Sequence, residues 1–244
     1  MFDAIVYIGH GSRKAEGNAQ FIQFVQAVME ELPYEKQAVA FLELTTPTIS
    51  DTLNKLIKEG ASNLLIVPVL LFSALHHKRD IPIELQEIRR KYPHISFTMT
   101  EPFGVHEYMI QLVQKRVETA MCEKNGAVLL VGRGSSDSDP IFQLKEIAKH
   151  VEQRLQIPVY NAFLTAHDPK VNQALDKLQH EYKTVYVMPY LLFTGLLLKH
   201  IERITAKYPR TAVMCNHLQF DDLMKQTLLV RIEEKRCQNM CIPS

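Results

Sequence analysis

The feature that most constrains this chain is an internal duplication. Val6-Tyr7-Ile8-Gly9-His10-Gly11-Ser12 returns as Leu130-Val131-Gly132-Arg133-Gly134-Ser135. Ala40-Phe41-Leu42 followed by Pro47 returns as Ala162-Phe163-Leu164 followed by Pro169, and Pro68-Val69-Leu70-Leu71-Phe72-Ser73 returns as Pro189-Tyr190-Leu191-Leu192-Phe193-Thr194. The offset stays between 121 and 123 at all three matches, so the copies share one architecture and few insertions are expected. With 244 residues, 46% of them apolar, each copy is long enough to hold a core of its own. The repeat divides the chain into domains 1–122 and 123–244, with the join near Glu123 to Gly126.

Within each copy the hydrophobic period alternates. Ile5 to Ile8, Ala38 to Leu42 and Leu64 to Leu70 are short apolar runs rich in β-branched residues, which predicts strands buried on both faces and therefore parallel. Fourth strands are predicted at Ser96 to Thr100 and Thr211 to Met214. Between the strands, Ile49, Leu53, Leu56 and Ile57 fall on one helical face, with Thr46 as N-cap and Pro47 at the first helical position. Asp168, Pro169, Val171, Leu175 and Leu178 repeat that pattern, and Asp80 is the expected cap of a helix carrying Ile81, Leu85 and Ile88. Four βα units per copy make an α/β protein of two similar Rossmann-like domains, each a parallel sheet flanked by helices.

Ligands of open parallel sheets bind beyond the carboxyl ends of the strands. Three residues there could hold a metal: His10, Glu43 and His76, spaced by 33 and 33 residues, about one βα unit each. Any one of them read alone is an ordinary loop residue, but equal spacing puts all three at the same sheet edge. Two imidazoles and a carboxylate on separate loops suit a borderline divalent cation and leave coordination positions open. At the matching positions the second copy carries Arg133, Thr165 and Leu197, so the chemistry is expected in the first copy alone.

Gly9-His10-Gly11-Ser12-Arg13-Lys14 also invites a phosphate-loop reading, but it fits neither G-x-G-x-x-G nor the P-loop pattern. A histidine-phosphatase reading needs an arginine just before the histidine, where Ile8 and Gly9 stand. Lysine plus arginine number 28 against 27 acidic residues, so nothing global argues for nucleic acid or a membrane surface, and an anionic ligand needs a local basic cluster. The four cysteines, Cys122, Cys215, Cys237 and Cys241, are too few for a disulfide framework and read mainly as structural thiols, with Cys237 and Cys241 a weak metal pair at most. No leader pattern and no span-length apolar stretch are visible, and a soluble, cytoplasmic protein is expected.

Gly9-His10-Gly11-Ser12-Arg13, Phe41-Leu42-Glu43 before Thr46-Pro47, and Pro68 through Phe72, His76 and Asp80-Ile81-Pro82 resemble the sirohydrochlorin chelatases of siroheme and cobalamin synthesis, a family of class II tetrapyrrole chelatases. The resemblance runs motif by motif through the first copy and, in degenerate form, through the second. It implies metal insertion into sirohydrochlorin, a ring with eight carboxylates, by a lyase-type enzyme that uses no nucleotide. The divalent metal is then substrate, Fe2+ foremost, with Co2+ or Ni2+ as further possibilities. His10 and His76 are the family's histidines, which leaves His77 as bystander, and Glu43 completes the ligand set. Ser12, Arg13, Lys14, Lys78, Arg133 and Ser135 are candidate substrate-binding residues around a cleft to which the second copy contributes, with Arg79 and Lys199 as further cations on the same loops. Long cobalt-inserting members carry a His-rich stretch and a C-terminal cluster motif, which this chain lacks in usable form, so iron ranks above cobalt. The competing readings are a cobaltochelatase and, from a different class, a non-catalytic metal chaperone using the same three ligands.

Overall fold

A computed structural model describes residues 2–240 of the chain. Each copy builds one four-stranded parallel sheet. In the first copy the strands are β1 (Ala4–Gly9), β2 (Gln37–Phe41), β3 (Asn63–Pro68) and β4 (Ser96–Met99), in the order β2-β1-β3-β4. In the second they are β5 (Gly126–Gly132), β6 (Val159–Phe163), β7 (Thr184–Pro189) and β8 (Ala212–Met214), in the order β6-β5-β7-β8. Every residue of β1 and β5 is buried, as expected for central strands covered on both faces.

The helices are α1 (Ala15–Met29), α2 (Ile49–Lys58), α3 (Ile81–Lys91) and α4 (Glu107–Ala120), then α5 (Ser138–Leu155), α6 (Val171–Glu181), α7 (Leu196–Thr205) and α8 (Asp222–Met240). Ile49, Leu53 and Leu56 of α2 and Ile81, Leu85 and Ile88 of α3 pack with Val6, Ile8, Leu64 and Ile66 of the sheet, and truncating such a leucine to alanine typically costs about 2–5 kcal/mol. Leu175 and Leu178 of α6 and Leu198 and Ile201 of α7 do the same for Leu129, Val131, Val185 and Val187.

Three local expectations need correction. Helix α2 is capped by Thr48, whose hydroxyl accepts from Asp51 N (3.1 Å) while the Asp51 carboxylate takes Thr48 N (3.2 Å). Thr46 and Pro47 lie before it, because Phe41 N donates to Pro47 O (2.9 Å) and Phe41 bridges to Thr48, which keeps this stretch extended beside the end of β2. Asp80 does not cap α3: a single π-helical turn, His76–Asp80, runs into that helix, and Asp80 has helical dihedrals with no capping bond. Leu197 does not stand at the position of His76. Phe72 to Tyr92 spans 20 positions and Phe193 to Tyr208 spans 15, so the second copy lacks five residues here. Tyr92 Oη donates to Asn54 on α2 as Tyr208 Oη donates to Asp176 on α6, which fixes these tyrosines as equivalent. The five extra residues of the first copy match the length of its π turn.

The compact units do not follow the repeat boundary. One comprises residues up to Gly104 together with those from Met224, and the other runs from Val105 to Leu223. Helix α4 therefore belongs with the second sheet, where it packs on α5 and β7, and α8 belongs with the first. Arg231 on α8 donates to the carbonyls of Pro102 and Phe103 (both 3.1 Å), and Lys225 pairs with Glu31 (3.0 Å). In the other unit Arg116 on α4 donates to Leu218 O (2.7 Å) and to Asp221 (3.0 Å), which Lys115 also contacts (2.9 Å). Burial alone would raise the Asp221 carboxyl, but the bonds from Lys115 and the Leu223 amide and the two positive charges hold it below the usual carboxylate range.

Beyond the strand ends the chains stay bonded. Leu42 N donates to Gly9 O (2.9 Å) and Glu43 N to His10 O (3.1 Å), and Leu164 N to Gly132 O (3.1 Å) and Thr165 N to Arg133 O (2.9 Å) repeat the arrangement. Gly11 makes it possible: at φ +90° a Cβ there would lie 1.9 Å from the Glu43 carbonyl oxygen, and at Gly134 it would lie 1.9 Å from that of Thr165.

Two stability measurements follow from these contacts. Gly60 has φ +89° but open space around it, so Gly60→Ala should lower the urea unfolding free energy by about 1–2 kcal/mol, while Gly11→Ala should cost about 3 kcal/mol or more. Equal losses would show that the close approach at Gly11 is no constraint. Asp221→Asn should cost about 1–3 kcal/mol at pH 7. A carboxyl held low when folded stabilises above its unfolded value of about 3.9, and that stability is lost as pH falls through the lower folded value. The gap between wild type and Asp221→Asn should therefore close only below about pH 4, and a gap unchanged at pH 2 would contradict the assignment.

Candidate metal centre

In the order β2-β1-β3, the chain leaves β1 to one side and returns to the other, which makes the carboxyl edge of β1 and β3 a topological switch point. His10 follows β1, Glu43 follows β2, and His76 opens the π turn after β3. Neighbouring parallel strands end at one level, so the three loops emerge together. One ligand atom from each of the three residues lies within 4.8 Å of the others. His10 Nδ1 is 3.4 Å from Glu43 Oε1, and the His10 and His76 rings meet edge to face with centroids 4.8 Å apart.

Ligand bonds of about 2.0–2.2 Å to a divalent ion place neighbouring donors roughly 3–3.5 Å apart, so small side-chain rotations close this set around one ion. The side chains of His10 and His76 are 30% and 33% exposed and that of Glu43 is 50% exposed, which leaves room for a further ligand to enter. Among the described residues no second His, Cys, Asp and Glu group converges this closely.

The π turn sends its two histidines to different places. His77 is buried: its Nδ1 meets Ser73 Oγ (2.9 Å) and its Nε2 meets the carbonyl of Thr100 (3.2 Å), so it ties the turn to the end of β4. His76 faces the site, and its Nδ1 meets Asp80 Oδ2 at 2.8 Å. Arg79 Nε donates to the other oxygen, Oδ1, at 3.0 Å. The Arg79 bond, with that of His76 and against partial desolvation, holds the Asp80 carboxyl below the usual carboxylate range. An ionised carboxylate only accepts, so this contact favours a proton on Nδ1 of His76, and in the neutral ring that arrangement leaves the lone pair on Nε2. In the sequence Asp80 satisfies a helix-cap pattern, and its spacing of four residues from His76 is the signal that marks this contact.

The other expected residues fall in two groups. Ser12, Arg13 and Lys14 lie between β1 and α1, and Lys78 lies on the π turn; these belong to the unit that holds the three ligands. Ser12 Oγ accepts from Lys14 N (3.1 Å), and Arg13, Lys14 and Lys78 are exposed. Arg133, Ser135 and Lys199 belong to the other unit. Arg133 is exposed, and Ser135 Oγ accepts from Asp137 N (3.0 Å), the same turn that Ser12 closes. Thr165, at the position of Glu43, turns its hydroxyl back to Arg133 O (3.0 Å). Cys122 and Cys237 are exposed and Cys215 is buried, all three outside any disulfide; Cys241 lies outside the described residues. No helix of the described residues is long and apolar enough to cross a membrane.

Comparison with known proteins agrees with this architecture. The sirohydrochlorin ferrochelatase of Priestia megaterium is 37% identical over 227 residues, covering 90% of this chain and 85% of the relative. A sirohydrochlorin cobaltochelatase of the same organism is 28% identical over 213 residues, covering 84% and 69%. The solved structure of SirB from Bacillus subtilis with Fe3+ superposes with a TM-score of 0.89 at 32% identity, covering 96% of this chain and 95% of that one. The CbiX family model matches residues 4–120 and again 127–235, once for each copy of the repeat. The chain is a member of the CbiX family.

Proposed function

We propose that this protein is a sirohydrochlorin ferrochelatase of the cytoplasm, inserting Fe2+ into sirohydrochlorin to give siroheme without a nucleotide. The observation that carries the reading is the convergence of His10, Glu43 and His76 within 4.8 Å at the switch point of a parallel sheet, on a half-exposed surface. Such a set binds a borderline divalent ion and keeps positions open, which suits an ion that must be passed on. The ferrochelatase relative resembles the chain more than the cobaltochelatase does, which supports iron over cobalt.

Insertion exchanges the water and protein ligands of the ion for four ring nitrogens, two of which each release a proton. In the proposed sequence His10, Glu43 and His76 take the ion and strip part of its water. Arg13, Lys14 and Lys78 take carboxylates of the ring, and the hydroxyl of Ser12 adds a hydrogen bond. Arg133 and Ser135 of the second copy take further carboxylates, so that the position of a metal ligand in one copy serves substrate in the other. Glu43, the most exposed of the three ligands, accepts ring protons and passes them to water as the ion moves to the pyrrole nitrogens.

Anaerobic steady-state metallation tests these roles. His10→Ala and His76→Ala should each lower kcat/KM with Fe2+ by about 100-fold or more, roughly 2.7 kcal/mol of barrier. Activity within threefold of wild type in both would remove the metal site from the mechanism. Arg133→Ala should raise KM for sirohydrochlorin severalfold with kcat within about twofold; unchanged saturation behaviour would end its assignment to substrate. Faster insertion of Co2+ than of Fe2+ at equal concentration would make the enzyme a cobaltochelatase.

A further inference from the structure

We propose that Asp80 is a positioning residue for His76, fixing the ring in the tautomer whose Nε2 faces the ion. The proposal rests on the metal-site reading above and adds to it a residue that does not touch the metal.

Three observations carry it. The contact is short and uses the whole carboxylate: His76 Nδ1 is 2.8 Å from Oδ2, and Arg79 Nε holds Oδ1 at 3.0 Å. A carboxylate clamped on both oxygens cannot swing away from the ring, and it favours the proton on Nδ1. The backbone that presents this pair is also pinned, since the neighbouring His77 is buried between Ser73 Oγ and Thr100 O. One π turn thus carries the ligand, its orienting carboxylate, the arginine that holds the carboxylate, and the anchor. π turns are rare and concentrate at functional sites.

The third observation is the second copy. The five-residue surplus of the first copy falls on this segment, and the second copy enters α7 from Gly195 with no π turn. The sheet and flanking helices stand without the turn, so packing does not require it. Ligand, orienter and anchor are present together in one copy and absent together from the other, as expected if they act as one device. A carboxylate behind a metal-bound imidazole fixes its orientation and raises its basicity, and removing such a partner typically weakens metal binding by about 10- to 100-fold.

The test uses Co2+ as a spectroscopic probe on the full chain, followed through its visible ligand-field bands, with Asp80→Ala, Asp80→Asn and His76→Ala beside wild type. Asp80→Ala should raise the Co2+ dissociation constant about 10- to 100-fold and change the band pattern. Asp80→Asn should recover part of the loss, because its amide oxygen still accepts from Nδ1–H. KM for sirohydrochlorin should stay within about twofold and the thermal midpoint within about 2 °C in both. Co2+ affinity within twofold of wild type in Asp80→Ala, with His76→Ala strongly weakened, would overturn the role of Asp80 while leaving the metal site standing. A lowered affinity that tracks a lowered thermal midpoint, without recovery in Asp80→Asn, would also overturn it in favour of a structural role. Undiminished Co2+ binding by His76→Ala would overturn the metal-site reading and this proposal with it.

Discussion

The ligand set depends on backbone hydrogen bonds that continue past the ends of the strands. Once β1 pairs with β2 and β3 in parallel register, Leu42 N and Glu43 N go on to bond Gly9 O and His10 O, and Val69 N bonds Ile8 O. These bonds carry the first residues of three loops out of the sheet at one level. Gly11 lets the first loop lie against the Glu43 carbonyl, so His10 and Glu43 are set beside each other by the main chain rather than by their side chains. Under the proposed function that division suits delivery: a rigid backbone keeps the three side chains convergent while open coordination lets an ion leave.

The duplication shows which parts of this arrangement are scaffold and which are chemistry. The glycine with φ near +90°, the carbonyl it presses on, the serine turn and the bonds past the strand ends occur in both copies. They are architecture. The two histidines, the glutamate and the π turn occur in one copy only. Where the first copy has Glu43, the second has a threonine whose hydroxyl donates to the carbonyl of Arg133. The His76-Asp80-Arg79 cluster after β3 likewise occurs in the first copy only.

Much of this was legible in the sequence, for identifiable reasons. Buried parallel strands must read as continuous apolar runs, so β1, β3 and β5 were plain, and the carboxyl ends of β1, β2 and β3 lead to His10, Glu43 and His76. The cap of α2 was misplaced because Thr46-Pro47 and Thr48 both satisfy the local pattern, and the deciding bond, from Phe41 N to Pro47 O, is made with the strand. The equivalence of His76 and Leu197 failed because a constant offset was carried through a segment in which the copies differ by five residues. The exchange of α4 and α8 between units was invisible for a deeper reason. Both copies repeat one pattern, so an amphipathic fourth helix fits either sheet, and the choice rests on particular contacts such as Arg116 to Leu218 and Arg231 to Pro102.

We propose that His10, Glu43 and His76 hold a metal in order to give it away. A single-turnover experiment tests it: the protein is loaded anaerobically with one equivalent of Fe2+, freed of unbound ion, and mixed with one equivalent of sirohydrochlorin while the ring absorbance is followed. The expected result is metallation of the ring by the bound ion, faster than by the same concentration of free Fe2+ and with the protein left metal-free. A ring that stays unmetallated while iron remains on the protein, or that takes metal only when free Fe2+ is supplied, would contradict the claim and leave metal storage as the function.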